Sequence, residues 1–218
     1  MLPTTISVTF ESTNNPLQAI RWLSSIPSDI IACDFETASR YTDEQKLAFS
    51  NQLSSLPPNS LESHHLKQLI SSDGLSHPSL SQVTHFQYAY SESHAFVIIL
   101  DSPRITDIVM NWLVTTPITV IFHNASFDFQ HIYHHTGKFP LNYEDSQLLA
   151  KTLLNNVNNQ KAQVGLKYLQ GYKYGDWAVS SDSFHLSQMY DPTLLKYCAV
   201  DACATYSLWT ELQEYIHS

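Results

Sequence analysis

An α/β fold is what this sequence predicts: a mixed five-stranded sheet with helices on its faces. Two observations point there. Short alternating or β-branched runs recur between longer segments of helical periodicity, in the order β-α-β-insertion-β-β-α-β-α…α. Two pairs, Asn15-Pro16 and Asp191-Pro192, have the form of a helix N-cap followed by proline in the first turn, where the missing N–H costs nothing. With 218 residues the chain suits a single domain, 1–218, carrying an inserted segment at about 41–82.

Taken in order, Thr5–Phe10 alternates as a strand, and Asn15-Pro16 opens a helix whose apolar face is Leu17, Ile20, Trp22 and Leu23. Asp29–Phe35 holds the run Ile30-Ile31-Ala32-Cys33, suited to a buried strand. Ser39–Pro78 changes character, rich in Ser, Gln, Leu and His with Pro57-Pro58 at its middle, and reads as an insertion of two helices, Asp43–Leu56 and Asn59–Ser71. Val83–Tyr90 and His94–Leu100 read as strands joined by a tight turn, Arg104–Leu113 as a helix, and Ile118–Phe122 as a β-branched strand. Helices are expected at Ala125–His135, Glu144–Leu154 and from Leu166, and a long last one from Asp191-Pro192 to about Tyr215.

Composition excludes several classes. A net charge of −9 argues against a protein that lives by broad phosphate contact. The sequence has no apolar run of membrane-spanning length, and no basic region followed by an apolar stretch opens it. Cys33, Cys198 and Cys203 are an odd set without metal-site spacing, so reduced thiols and a cytoplasmic setting are expected.

The chemistry lies in three acidic motifs. In Asp34-Phe35-Glu36 strand alternation turns both carboxylates to one face, at the expected end of a strand, where they repel unless they share a hard cation. In Asn124-Ala-Ser-Phe-Asp128, Asn124 reads as a helix N-cap with Asp128 one turn on. In Tyr197-Cys-Ala-Val-Asp201 a phenol and a carboxylate share one face of the last helix, among small apolar residues where a lone charge is costly. Each motif alone has a plainer reading as a cap, a strand end or a solvated acid.

In this order, Asp-x-Glu, Asn-x-x-x-Asp and Tyr-x-x-x-Asp, the set resembles the DEDD superfamily of 3′–5′ exonucleases, and in particular the proofreading domain of family A DNA polymerases. The likeness spans nearly the whole chain. Tyr197 stands four residues before Asp201, and position 196 is Lys, so the tyrosine subclass is the one resembled. The resemblance implies a ribonuclease H-like sheet and two divalent cations, Mg²⁺ or Mn²⁺, held by Asp34, Glu36, Asp128 and Asp201. Asp34 would bridge both ions and Asp128 would act mostly through water, while Tyr197 orients the attacking water. The product would be a nucleoside 5′-monophosphate. Thr37, Asn124 and Phe127 are the expected contacts to a terminal nucleotide. Asp145 is expected at a helix N-terminus behind the site. Lys151, Lys161, Lys167 and Lys173 fall where relatives track the incoming strand, with scattered solubilising lysines as the alternative. His131, His134 and His135 share a helical face, but zinc would need further ligands.

The expected substrate is a single-stranded DNA 3′ end, with a DNA polymerase domain or subunit as partner and no membrane. The alternatives are an RNA-trimming enzyme of RNase D type and a catalytically silent binding module on the same fold. No polymerase sequence follows Tyr215, which suits either an excised domain or a separate subunit.

Overall fold

The computed structural model describes residues 5–70, 78–154, 163–177 and 186–218. In chain order the elements are β1 (Thr9–Thr13), α1 (Pro16–Ser24), β2 (Ile30–Ser39), α2 (Asp43–Ser54), α3 (Leu61–Ile70), β3 (Ser81–Ala89), β4 (His94–Ile99), α4 (Pro103–Leu113), β5 (Thr119–Phe122), α5 (Ala125–Thr136), β6 (Tyr143–Asp145), α6 (Ser146–Leu154), α7 (Leu166–Tyr174) and α8 (Pro192–His217). The sheet runs β1-β4-β3-β2-β5-β6. Its β4-β3-β2 centre is antiparallel, and β1, β5 and β6 join in parallel.

Several helix starts follow directly from sequence. Asn15 Oδ1 accepts from the Leu17 and Gln18 N–H groups, and Asp191 accepts from Thr193 N–H at 2.7 Å. Thr42 and Gln45 form a reciprocal capping box at α2.

Two apolar layers sandwich the sheet. Ile31, Cys33, Phe35, Phe86, Tyr88 and Val120 pack toward α1, α4 and α5. Ala89, Ala95, Val97 and Ile99 pack on Leu194, Cys198, Ala199, Ala202 and Cys203 of α8. Small residues on both sides of this second contact let α8 lie close to the sheet. Ile31, Cys33 and Phe35 of β2 face the first layer, so Asp34 and Glu36 face α8. The α2–α3 insertion keeps a cluster of its own, Leu66, Leu69 and Leu80 with Tyr41, Phe49, Leu53 and Leu56.

The structure departs from expectation at three places. The sheet has six strands rather than five. The sixth, Tyr143–Asp145, overlaps the start of the helix expected at Glu144–Leu154; it is a three-residue edge whose pairing with Val120–Phe122 leaves no periodic trace in sequence. The first strand lies later than Thr5–Phe10, at Thr9–Thr13, because Ile6 N–H donates to the Lys173 carbonyl at 2.8 Å and the chain meets β4 only from Thr9. The second strand does not end near Phe35. It continues to Ser39 along β3, with a bulge between Glu36 and Thr37. Asp34 and Glu36 instead lie past the last β2–β5 pair, Ala32 with Ile121, where the parallel neighbour has ended and α5 is about to begin.

Candidate active site

Beyond that last pair β2 is open on one side, and the acidic residues gather there. Ligand oxygens of Asp34, Glu36 and Asp201 lie within 4.8 Å of one another, the one such metal-ligating group among the described residues. Asp34 and Glu36 come from β2, and Asp201 from the sheet-facing side of α8, where it is buried. Asp128, 1% exposed in the first turn of α5, joins them from the other layer. Its Oδ1 accepts from the Phe35 backbone N–H at 3.2 Å, between Asp34 and Glu36 in the chain.

Four acids gathered at one point, Asp128 and Asp201 buried and Asp34 and Glu36 half-buried, are costly without a cation. Burial, and then the charge of Asp201, pushes the Asp34 carboxyl up to about 8. Burial and Asp34 push Glu36 and Asp128 well above the carboxylate range, and burial raises Asp201. The oxygen-only donor set, its close spacing and this repulsion all fit hard divalent ions.

The sequence reading missed two neutral donors that partly relieve the strain. Gln87, fully buried and paired across from Asp34 on β3, donates through Nε2 to Asp34 Oδ2 at 2.9 Å and to Glu36 Oε1 at 3.4 Å. The signal was present: one amide inside the apolar run Val83–Tyr90, at an inward position. Trp177 donates its indole N–H to Asp201 Oδ1 at 2.6 Å. No spacing rule links Trp177 to that motif.

Tyr197 stands one turn before Asp201, and its hydroxyl is hydrogen-bonded to that carboxylate. Burial, with Asp201 and Glu36 beside it, pushes the phenol well above its ordinary range. Lys167 Nζ lies 3.3 Å from the Tyr197 hydroxyl and 4.6 Å from its ring centroid. Together with Asp34, His123, Tyr168, Tyr197 and Asp201, Lys167 lines a cavity of about 280 Å³. Of the other lysines, Lys173 is bound to Glu92 and Glu211, Lys151 bonds Gln147, and Lys161 lies outside the described residues.

Thr37, Asn124 and Phe127 are the residues expected to contact a terminal nucleotide. Thr37 is buried at the bulge. Asn124 is exposed, with φ +73°; it precedes α5 without a side-chain cap, and its Oδ1 accepts from the Ser126 hydroxyl. Phe127 is half-buried with its ring against His131, 5.4 Å between centroids. Asp145 accepts from Gln147 and Leu148 at the start of α6 and from Asn124 and Ala125 at the start of α5, so it ties two helix N-termini together. His135 bonds Asp107, and the three helix histidines form no metal group among the described residues. Among those residues no helix is long and apolar enough to cross a membrane.

A family model described as 3′-5′ exonuclease matches residues 8–217. A search of curated proteins finds no match. Solved structures of similar fold include Brucella melitensis NrnC bound to pGG (18% identity, 98% of this chain and 82% of that one, TM-score 0.55). They also include the catalytic core of Trypanosoma brucei RRP6 (12%, 100% and 52%, TM-score 0.65) and Trypanosoma brucei RNase D in complex with RNA U12 (14%, 95% and 63%, TM-score 0.62). A structure of the same NrnC carries bound Mg²⁺ (18% identity, 98% and 83%, TM-score 0.50).

Proposed function

We propose that this chain, which belongs to the DEDD superfamily of 3′–5′ exonucleases, hydrolyses the 3′-terminal phosphodiester of single-stranded or frayed DNA, releasing nucleoside 5′-monophosphates. The observation that carries the reading is the convergence of Asp34, Glu36 and Asp201, with Asp128 beside them.

Asp34, Glu36, Asp128 and Asp201 are the residues that would hold two divalent ions, Mg²⁺ or Mn²⁺. Such ions, when bound, offset charge on the attacking and leaving oxygens of an in-line displacement. Tyr197 orients the attacking water. Its raised pKa keeps the phenol protonated at neutral pH, which suits a hydrogen-bond donor and not a general base. Lys167, exposed at the rim of the cavity, is placed to meet a backbone phosphate. Thr37, Asn124 and Phe127 are proposed to contact the terminal nucleotide, and Asp145 to support α5 from behind. DNA and a polymerase partner are proposed from the likeness of the motifs to the proofreading branch. The three free, buried cysteines fit a reducing, cytoplasmic setting.

A second reading, trimming of RNA or very short oligonucleotides, is favoured by the fold neighbours, one bound to pGG and one to RNA U12. Digestion of 5′-labelled single-stranded DNA and RNA of equal length, with Mg²⁺ or Mn²⁺, tests both. The native chain should give a ladder on DNA and Asp34→Ala none. Faster cleavage of RNA than DNA would move the assignment to the second reading, and intact strands of both kinds under both metals would overturn the enzyme.

A further inference from the structure

Asp201 receives a hydrogen bond from outside the acidic cluster, and the donor is an indole. The Trp177 indole N–H points at Oδ1 from 2.6 Å. An indole can donate and cannot accept, and it carries no charge. It therefore orients a carboxylate without neutralising it, whereas a lysine or arginine there would occupy the electrostatic role of an ion.

The ring is half-buried against the layer that α8 forms with the sheet. Gly175, at φ +74°, ends α7 two residues before it. The indole packs edge-on against Tyr174, with centroids 5.8 Å apart and planes at 70°. The Tyr174 hydroxyl lies 2.9 Å from the Glu92 carbonyl and 3.1 Å from the Cys203 carbonyl. Cys203 belongs to α8, two residues beyond Asp201, so donor and acceptor are referenced to the same helix. Asp201 also bonds the hydroxyl of Tyr197, the residue that the reading above assigns to the attacking water.

We propose that Trp177 is a positioning residue of the metal centre: its N–H fixes one Asp201 oxygen so that the other stays directed at the ion site when Tyr197 lets go. This rests on the metal-dependent reading given above. Partners of this kind typically alter metal affinity by about 10- to 100-fold when removed.

The test is Mn²⁺ binding to the whole chain, followed by the EPR signal of free ion, for the native protein and Trp177→Phe, which keeps the aromatic contact and loses the donor. The Kd should rise about tenfold. A second arm labels the native protein with 5-fluorotryptophan and follows its four tryptophan ¹⁹F resonances during Mg²⁺ addition. The Trp177 signal should shift, and its assignment by elimination with Trp22→Phe, Trp112→Phe and Trp209→Phe does not require the Trp177 variant to fold. A Kd within twofold of native, or a Trp177 resonance unmoved by saturating Mg²⁺, overturns the role of Trp177 alone. A native chain that binds no Mn²⁺ sinks the metal-dependent reading as well.

Discussion

Replacing Asp128 by Asn should make the metal-free protein more stable while making it a poorer enzyme. Asp128 is 1% exposed, and its Oδ1 accepts from Phe35 N–H, a bond that Asn preserves. What Asn removes is a charge that burial and Asp34 oppose. The cost of that charge is bounded, because the group can bind a proton instead of remaining ionised. At pH 7 the bound is about 1.4 kcal/mol for each pH unit above an ordinary Asp pKa near 3.9, or about 4 kcal/mol. The backbone donors already offset part of it, so a gain of about 2 kcal/mol is expected, roughly 4–8 °C in Tm for a domain of this size. The sign follows from linkage. A raised folded-state pKa means that the native protein loses stability as pH climbs from the unfolded-state value, so the advantage of Asn should be small near pH 4.5 and widest at pH 7–8. Scanning calorimetry in EDTA at these pH values measures it. Added Mg²⁺ should stabilise the native chain more than the variant and narrow the gap. A variant that melts below the native protein at pH 7 in EDTA would refute the view that these acids are in mutual repulsion.

Gln87→Leu removes the shared donor to Asp34 and Glu36 at nearly constant volume and should weaken Mg²⁺ binding about tenfold; calorimetric titration with an unchanged Kd would count against it. Tyr197→Phe should slow cleavage by about 10²-fold or more with Mn²⁺ affinity within twofold of native; lost affinity would mean the phenol helps to hold the ion. Asp145→Ala strips acceptors from two helix starts and should cost about 2 kcal/mol in urea melts; a loss under about 0.5 kcal/mol would show that water replaces the carboxylate.

Much of this was legible because local rules decide it. Alternation alone turned Asp34 and Glu36 to one face and Phe35 to the other, and helical spacing aligned Tyr197 with Asp201. The Asn15 and Asp191 caps formed where Asx-Pro predicted them. What escaped depends on partners distant in sequence. The continuation of β2 to Ser39 is decided by β3, and β6 exists through its pairing with β5. Asn124 precedes α5 as expected, yet its left-handed backbone turns the side chain away from capping, and Asp145 supplies acceptors for that helix start instead. Gln87 and Trp177 reach the acids across strands and loops. Their meaning emerges only once the acids are seen together.

The layout of the acidic cluster has a bearing on biosynthesis. Asp34 and Glu36 are made early, and Asp128 much later. Asp201 and Tyr197 arrive on α8, the final helix, which docks against β2, β3 and β4. A chain still emerging from the ribosome can build most of the sheet yet cannot close the ion site. Long-range contacts of this kind form late, because their loop-closure entropy is unfavourable until the rest of the core supports them. The acidic cluster is thereby completed only once α8 has emerged, so a nascent chain short of α8 holds the scaffold without the full set of carboxylates.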